Sequence, residues 1–185
     1  HARDLKKAGI GVKPARGPFV PEREIKSRPE VHALENALRI AETGMTRGIE
    51  VLRASKILKD GALSFNGTHL TSELLRIEQA CDPHNRGTGQ LFANQLIILD
   101  IFPRDIRSCF HGDITRTVVR GRASDEQRRL WNTCLEGQKL ALDAIKPGTE
   151  GRIIHNMVKK HFTDQGFATE IKNGRWQGFF HGTGH

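Results

Sequence analysis

The stretch that decides the fold is residues 97–117, which read IILDIFPRDIRSCFHGDITRT. It begins with a short apolar run bounded by turn-forming residues, which is typical of a buried strand, and we predict that strand over residues 96–102. A connection over residues 103–108 leads to a second strand, which we predict over residues 113–119. The two segments together predict a β-hairpin that carries one aspartate on each strand.

These two aspartates, Asp100 and Asp113, are the first candidates for a functional site. Because alternate side chains share a face of a strand, Asp100 projects with Ile98, and Asp113 projects with Thr115. Opposite residues on antiparallel strands have Cβ atoms about 4.5–5.5 Å apart, and two carboxylates that close beside apolar neighbours need a positive partner. One or two metal ions would supply it. The spacing alone leaves a second interpretation open, in which Asp100 merely ends its strand and Asp113 pairs with Arg116 at the surface.

The rest of the chain predicts helices on both sides of the hairpin. Apolar residues recur at steps of three and four from Arg28 to Ile57, which predicts one long helix with a single apolar stripe. A capping box at residues 124–127 opens another helix, which Pro147-Gly148 ends. The other predicted elements are a helix over 70–77, a helix capped by Thr149 and ended at Gly166, and strands over 167–171 and 177–180. This order of elements is that of a mixed α+β domain.

Three histidines lie in sequence contexts that suit a functional site. His84 lies in a loop of turn-forming residues just before the first aspartate strand. His181 and His185 flank a Gly-Thr-Gly turn, which would place two imidazoles around one short loop and indicates contact with a metal or an anion. For His84 taken alone, an ordinary surface position is the alternative.

Composition narrows the class of protein. The 185 residues are enough for one domain with a core, and 37% apolar with 27% charged residues is ordinary for a soluble globular protein. The chain has no apolar run of the about 20 residues that a membrane span needs, and we expect no membrane partner. Three cysteines without CxxC spacing favour a reducing cytoplasm. The net charge is +8, but residues 1–28 hold eight Lys or Arg against three acids, so the excess lies away from the suspected site and disfavours a nucleic-acid partner.

Four segments, in this order, resemble the pita-bread metallopeptidases. They are PEREIKS at residues 21–27, IILDIFPR at 97–104, GDITRT at 112–117 and HGTGH at 181–185. This family includes Xaa-Pro aminopeptidases, prolidases, methionine aminopeptidases and the non-peptidase creatinases. The Asp-Ile-Thr-Arg-Thr form resembles the proline-peptidase branch more than the methionine branch.

The resemblance implies a set of site residues. Asp100 and Asp113 would be metal ligands, with Asp113 bridging two ions, and His185 would be the single histidine ligand. His84 and His181 would position the substrate or stabilise the tetrahedral oxyanion. Carboxylates and an imidazole favour hard divalent cations, so we expect two divalent metal ions, with manganese first and cobalt, zinc or iron as alternatives.

The resemblance also implies a fold and an activity. We expect a pita-bread fold of the α+β class, mainly an antiparallel sheet with flanking helices, over residues 21–185, and residues 1–20 as the tail of a preceding domain or a linker. The implied activity is that of a metal-dependent aminopeptidase, which hydrolyses the N-terminal bond of a peptide substrate, next to proline. The sequence leaves the oligomeric state open, with a homodimer among the alternatives.

The sequence departs from the family pattern in several places. Two glutamate ligands and a further histidine of the family follow the histidine turn, so we expect the catalytic domain to be partial, with another segment shortened between Gln79 and Cys81. The interval from Asp100 to Asp113 exceeds the commonest family spacing by two residues, which predicts a longer or bulged hairpin and makes Asp105 a substitute ligand to consider. Two alternatives stay open: an inactive pita-bread module that binds a peptide, protein or RNA, and a creatinase-like hydrolase.

Overall fold

The computed structural model describes residues 2–11, 25–78 and 87–183. The helices in these ranges are α1 (Ala2–Lys7), α2 (Arg28–Ala54), α3 (Ser72–Glu78), α4 (Asp125–Ala144) and α5 (Gly151–Asp164). The strands are β1 (Lys56–Ile57), β2 (Leu63–Phe65), β3 (Thr68–His69), β4 (Leu96–Ile101), β5 (Ile114–Val119), β6 (Glu170–Lys172) and β7 (Arg175–Gln177). The predicted domain boundary after residue 20 lies outside the described residues and stays a prediction. Within the described ranges, none of the helices is both long and apolar enough to cross a membrane.

α2 is the long helix that the apolar stripe predicts, and it ends earlier than predicted. Its buried face is formed by residues three, four and seven apart: Ala37, Ala41, Met45, Gly48, Val51 and Leu52. At Ser55 the backbone becomes extended, and the Ser55 hydroxyl donates a hydrogen bond to the Leu52 carbonyl at 2.7 Å. Lys56 and Ile57, predicted as helical, instead pair with Ser64 and Leu63 in an antiparallel sheet whose order is β1-β2-β3. The last residues of the predicted helix, Lys56 and Ile57, are therefore in a strand because they pair with β2.

β4 and β5 form the predicted hairpin as an antiparallel pair. The register runs from Leu96 opposite Val119 to Ile101 opposite Ile114. Buried and exposed side chains alternate along β4, and the buried ones are Ile97, Leu99 and Ile101. The predicted hairpin is confirmed. β4 ends one residue earlier than predicted, at Ile101 instead of Phe102, and β5 begins one residue later, at Ile114 instead of Asp113.

The larger of two apolar cores anchors the buried face of β4. Its buried members come from α2, α3, β2, β4 and their connections: Met45, Val51, Leu52, Leu63, Leu70, Leu75, Ala93, Ile97, Leu99 and Ile101. Fully burying a large aliphatic side chain stabilises a fold by about 1.5–3 kcal/mol. The Gln90 side-chain amide also donates to the carbonyls of Leu63 and Leu70, at 2.9 and 3.1 Å. Apolar burial therefore holds the strand that carries Asp100, and the Gln90 hydrogen bonds hold the segment before it against β2 and the residue after β3.

The second core lies between α4 and α5 and is smaller. Its buried members are Ala141, Ile154, Val158 and Phe162, with Phe167 and Phe179 partly buried against them. The two helices approach closely at Gly137, where an added Cβ would lie 3.1 Å from the Phe162 ring. The glycine thus sets how near α5 can pack.

Two local predictions in this part of the chain are wrong, and each has a physical reason. α5 begins after Glu150 rather than Thr149, because Thr149 belongs to the preceding turn, in which its N–H donates to the Lys146 carbonyl at 3.0 Å. The strands predicted over 167–171 and 177–180 are shifted toward each other, since β6 and β7 meet at Asn173-Gly174. Both of these residues have positive φ, 53° and 74°, as a two-residue hairpin turn requires.

Candidate metal centre

Asp100 lies on the exposed face of β4, as the alternation predicts. The residue opposite it across the sheet is Thr115, whose hydroxyl donates to the Asp100 Oδ1 at 2.5 Å. The inference that Asp100 and Asp113 are themselves opposite neighbours is therefore wrong, because the register places Asp113 two residues before the partner of Asp100. The hydroxyl fixes one oxygen of the carboxylate, as residues that orient metal ligands commonly do.

Asp113 is exposed and immediately precedes the first paired residue of β5. Strand alternation, extended one residue before β5, predicts that Asp113 lies on the same side of the hairpin as Thr115, and hence as Asp100. Diagonal neighbours on one face are about 7–8 Å apart, which brings two short carboxylates near one another without forcing them into contact. We therefore expect the hairpin to present both aspartates to the same side, one step apart along the strands.

Gly112 sets the position of Asp113 relative to α2. A Cβ at Gly112 would overlap the backbone carbonyl of Ala37, so only glycine allows the chain to pass this close to the helix. The Gly112 N–H donates to the Pro103 carbonyl at 3.1 Å, which extends the pairing of the two strands into the loop that connects them. Asp113 therefore follows a fixed backbone contact.

The connection between the strands is the longer loop that the spacing predicts, and Asp105 organises it. The Asp105 carboxylate accepts hydrogen bonds from the Ser108 hydroxyl at 2.6 Å and from the Arg107 N–H at 3.1 Å. The Ser108 hydroxyl is the main cause that holds the pKa of Asp105 below its usual value, and the Arg107 N–H adds to it. With its oxygens bonded within the turn, Asp105 has a structural role here and is a poor substitute for a metal ligand.

His181 lies in the segment after β7 and is exposed, with its Nδ1 3.2 Å from the Gly182 carbonyl. Thr183, two residues on, contacts His155 of α5, where Nδ1 is 2.9 Å from the threonine hydroxyl. His84 and His185 lie outside the described residues, so their predicted roles stay predictions. The structure therefore places both aspartates at exposed positions of the hairpin, and it shows that Thr183 of the histidine turn contacts α5.

A cavity of about 320 Å³ opens beside β4. Asp100 and the exposed Ile98 contribute to its wall, together with residues of α3 and of the segment before β4, among them Arg76, Gln90 and Gln95. This volume is at the lower end of the ~300–1,000 Å³ typical of small-ligand sites. The candidate centre therefore adjoins a concave surface.

The described donors fit part of a divalent metal site. Among residues 2–11, 25–78 and 87–183, no three His, Cys, Asp or Glu side chains come together as a group that could hold an ion. The two exposed carboxylates, with Asp100 oriented by a hydroxyl, are nevertheless the hard oxygen donors that manganese or other divalent cations prefer. Asp100 and Asp113 would supply carboxylate ligands, and the remaining donors would come from elsewhere.

Sequence reasoning missed three residues that shape this site. Thr115 was detectable, because strand alternation and pairing can place a hydroxyl beside the Asp100 carboxylate. Gly112 carries only the general signal that a glycine next to a candidate ligand allows a close backbone approach. His155 gave no signal, since it lies on a helix and its contact with Thr183 spans 28 residues of sequence.

Comparison with solved structures identifies the fold that this arrangement belongs to. The chain is similar to the prolidase from Pyrococcus horikoshii OT3, with a TM-score of 0.62, 20% identity, and coverage of 85% of this chain and 48% of that one. It is also similar to an X-Pro aminopeptidase from Thermotoga maritima MSB8, with a TM-score of 0.58, 18% identity, and coverage of 88% and 52%. The fold is therefore that of the pita-bread peptidases, as the sequence predicts.

Sequence comparison gives the family. The sequence model of metallopeptidase family M24 matches residues 30–185, and the chain belongs to that family. An Xaa-Pro dipeptidase from Pyrococcus furiosus is 24% identical over 173 residues, which cover 88% of this chain and 47% of that protein. The uncharacterized peptidase YqhT from Bacillus subtilis is 28% identical over 176 residues, covering 88% and 46%. The similarity supports the Xaa-Pro branch, and the chain spans about half the length of these relatives.

Proposed function

We propose that this chain is part of a metal-dependent peptidase that hydrolyses the N-terminal bond of a peptide, next to proline. The observation that carries the proposal is the β4–β5 hairpin, in which the exposed Asp100 carboxylate is bonded to Thr115 and the exposed Asp113 directly precedes β5. Membership of the M24 family and similarity to an Xaa-Pro dipeptidase support it. We place the activity in the cytoplasm, as the cysteine content favours.

In this proposal, Asp100, Asp113 and His185 would hold two divalent ions, with manganese as the first candidate. When bound, such a pair lowers the pKa of a water and stabilises negative charge on the scissile carbonyl oxygen. Thr115 keeps one oxygen of Asp100 in a fixed direction, so that the other remains oriented toward the site. His84 and His181 bind the substrate or donate a hydrogen bond to the oxyanion, and a neutral imidazole suits that task.

The test uses the longest protein that the reading frame encodes. Asp113→Asn keeps the shape of the side chain and removes its charge. We expect it to lose bound metal and to lower kcat/KM on Xaa-Pro peptides by at least about 100-fold, because changes at residues that only orient ligands already cost about 10–100-fold. Metal content is measured by elemental analysis, and turnover by release of the N-terminal residue.

Asp105→Asn is the matched control, since Asp105 lies in the same hairpin with its carboxylate bonded within the turn. It should keep metal and activity. Full activity of Asp113→Asn would contradict the proposed site, and loss of metal in Asp105→Asn alone would make Asp105 the ligand. Stoichiometric metal without peptide hydrolysis in the unaltered protein would favour the inactive binding module. Hydrolysis of a non-peptide substrate by the metal-free protein would favour the creatinase-like alternative.

A further inference from the structure

In the described part of the histidine turn (residues 181–185), which is residues 181–183, a side-chain contact joins Thr183 to α5. His155 Nδ1 and the Thr183 hydroxyl are 2.9 Å apart, and both side chains are partly buried. Thr183 is flanked by glycine on each side. An added Cβ at Gly182 would meet no heavy atom of the described chain within 4 Å. A segment of this kind has many accessible backbone conformations, and ordering one residue costs about 1–2 kcal/mol, so a contact at its centre strongly affects its position.

His155 is itself held by aromatic packing. Its ring centroid lies 5.3 Å from that of Phe179, and Phe179 stacks on Phe162 at 5.1 Å with an interplanar angle of 29°. The Phe179 carbonyl accepts a hydrogen bond from the Thr169 hydroxyl at 3.0 Å. The imidazole therefore points at Thr183 from a surface that the second apolar core supports.

The position of this contact distinguishes it from an ordinary buried histidine contact. Phe179 and Thr183 lie on either side of His181, and both of them contact His155. The His155 side chain thus contacts the chain both before and after His181, which has a role in the proposed reaction. A change at His155 should therefore alter the geometry of the turn as well as the stability of the helix pair.

We propose that His155 is a positioning residue for the histidine turn, acting through Thr183. This inference rests on the proposed function, because it concerns the placement of His181 and of the ligand His185 at either end of that turn. His155 touches neither substrate nor metal in this assignment. His155 instead holds Thr183 in place, and Thr183 in turn fixes the position of the turn that carries His181 and His185.

The test is a double-mutant cycle in the full-length, metal-loaded enzyme. His155→Phe keeps a ring beside Phe179 and removes the nitrogen, and Thr183→Val keeps the shape of the side chain and removes the hydroxyl. Each variant should weaken metal binding and lower kcat about tenfold, with less change in KM, which is the size of effect expected when a well-placed hydrogen bond is lost. The double variant should be no worse than either single one, and Thr183→Ser should recover most of the loss.

Two control variants on α5 separate positioning from general helix stability. His161→Phe removes a contact with the Thr133 carbonyl at 3.3 Å, on the side of α5 that packs against α4. Thr163→Val removes an exposed hydroxyl that bonds only within the helix, to the Lys159 carbonyl. Both should leave metal affinity and kcat unchanged, even where His161→Phe lowers the melting temperature.

Several outcomes would overturn the inference. Normal metal affinity and kcat in Thr183→Val would do so, as would additive losses in the double variant or equal losses in Thr183→Ser and Thr183→Val. If His155→Phe does not fold, the Thr183→Val and Thr183→Ser pair decides the question. An unaltered enzyme that neither binds divalent metal nor cleaves peptides would overturn the proposed function and this inference with it. An active unaltered enzyme with an active Thr183→Val overturns this inference alone.

Discussion

The two regions that carry the candidate centre are held in different ways. In the aspartate region, described over residues 25–78 and 87–119, the hairpin has one face in a core of ten buried side chains. In the histidine region, residues 124–183, the described core has four buried side chains. Phe179, just before the turn, packs against this core, and Thr183 of the turn contacts His155. Apolar burial along a strand positions the carboxylates, whereas a few individual contacts position the histidine turn.

This difference indicates how each half of the site responds to change. Burial is spread over many side chains, so the strand that carries Asp100 keeps its direction when a single polar contact is lost. In its described part, the turn after Phe179 is contacted by a hydrogen bond to Thr183 and preceded by a ring contact of Phe179, so we expect removal of either contact to change its position. The aspartate half should thus be sensitive to lost volume, and the histidine half to lost hydrogen bonds.

The largest expected effect is on the aspartate region and comes from Leu99→Ala. Leu99 is 4% exposed, whereas its neighbour Ile98, on the opposite face of β4, is 68% exposed. Replacing a buried leucine by alanine costs about 2–5 kcal/mol in free energy of unfolding, while exposed substitutions usually stay within about 0.5 kcal/mol. Urea denaturation of this chain measures both. Equal losses in Leu99→Ala and Ile98→Ala would contradict the assignment of the two faces.

The next effect concerns the close approach of the hairpin to α2. Gly112→Ala should destabilise the chain by about 2 kcal/mol, since the new methyl group would overlap the Ala37 backbone, which cannot rotate away as a side chain would. Gly151→Ala in the histidine region is the matched control, because a Cβ at that start of α5 has no described heavy atom within 4 Å. Thermal denaturation should show little change or a small gain for Gly151→Ala. A tolerated Gly112→Ala would show that the hairpin is free to move from α2.

The same contrast explains how far the sequence alone can predict this structure. Period-two alternation gives the β4 faces, and steps of three and four give the α2 stripe, because burial repeats with the period of the element. A sheet register does not follow from the pattern of one strand, which is why Asp100 was expected opposite Asp113 rather than Thr115. Pairing with β2 also decides where α2 ends, and that partner lies elsewhere in the chain.

Some residues of the candidate site could likewise be predicted from the sequence, and others could not. Asp100 and Asp113 could be selected as candidates from residue type, position on a predicted hairpin and resemblance to known motifs. The contact of His155 with Thr183 could not, because nothing in a helical sequence states which distant residue its partly buried side chain meets. The predicted bounds of β6 and β7 are wrong for a more local reason. Asn173-Gly174 is a two-residue hairpin turn, whereas the prediction leaves residues 172–176 between the two strands.

The smallest expected effect on the free energy of unfolding comes from removing the serine at the helix cap of each region. At Ser124 the hydroxyl accepts from the Gln127 N–H at 3.2 Å, and the Gln127 side chain accepts from the Ser124 N–H and donates to the Asn94 carbonyl, both at 2.9 Å. Ser124→Ala leaves a backbone N–H of α4 without its partner and should cost about 1 kcal/mol. Because Gln127 reaches the turn before β4, this cap is also a polar link between the regions.

At α2 the cap works differently, which provides the matched comparison. The Ser27 hydroxyl donates to the Glu30 carboxylate at 2.7 Å, and the Ser27 backbone N–H donates to the same carboxylate oxygen at 2.7 Å. Ser27→Ala removes the first bond and keeps the second, so its loss in free energy of unfolding should be smaller than that of Ser124→Ala. Chemical denaturation of the two variants decides the order. A larger loss in Ser27→Ala would mean that the start of α2 depends on its serine despite the burial that follows, and the contrast between a region held by burial and one held by single contacts would fail at its first turn.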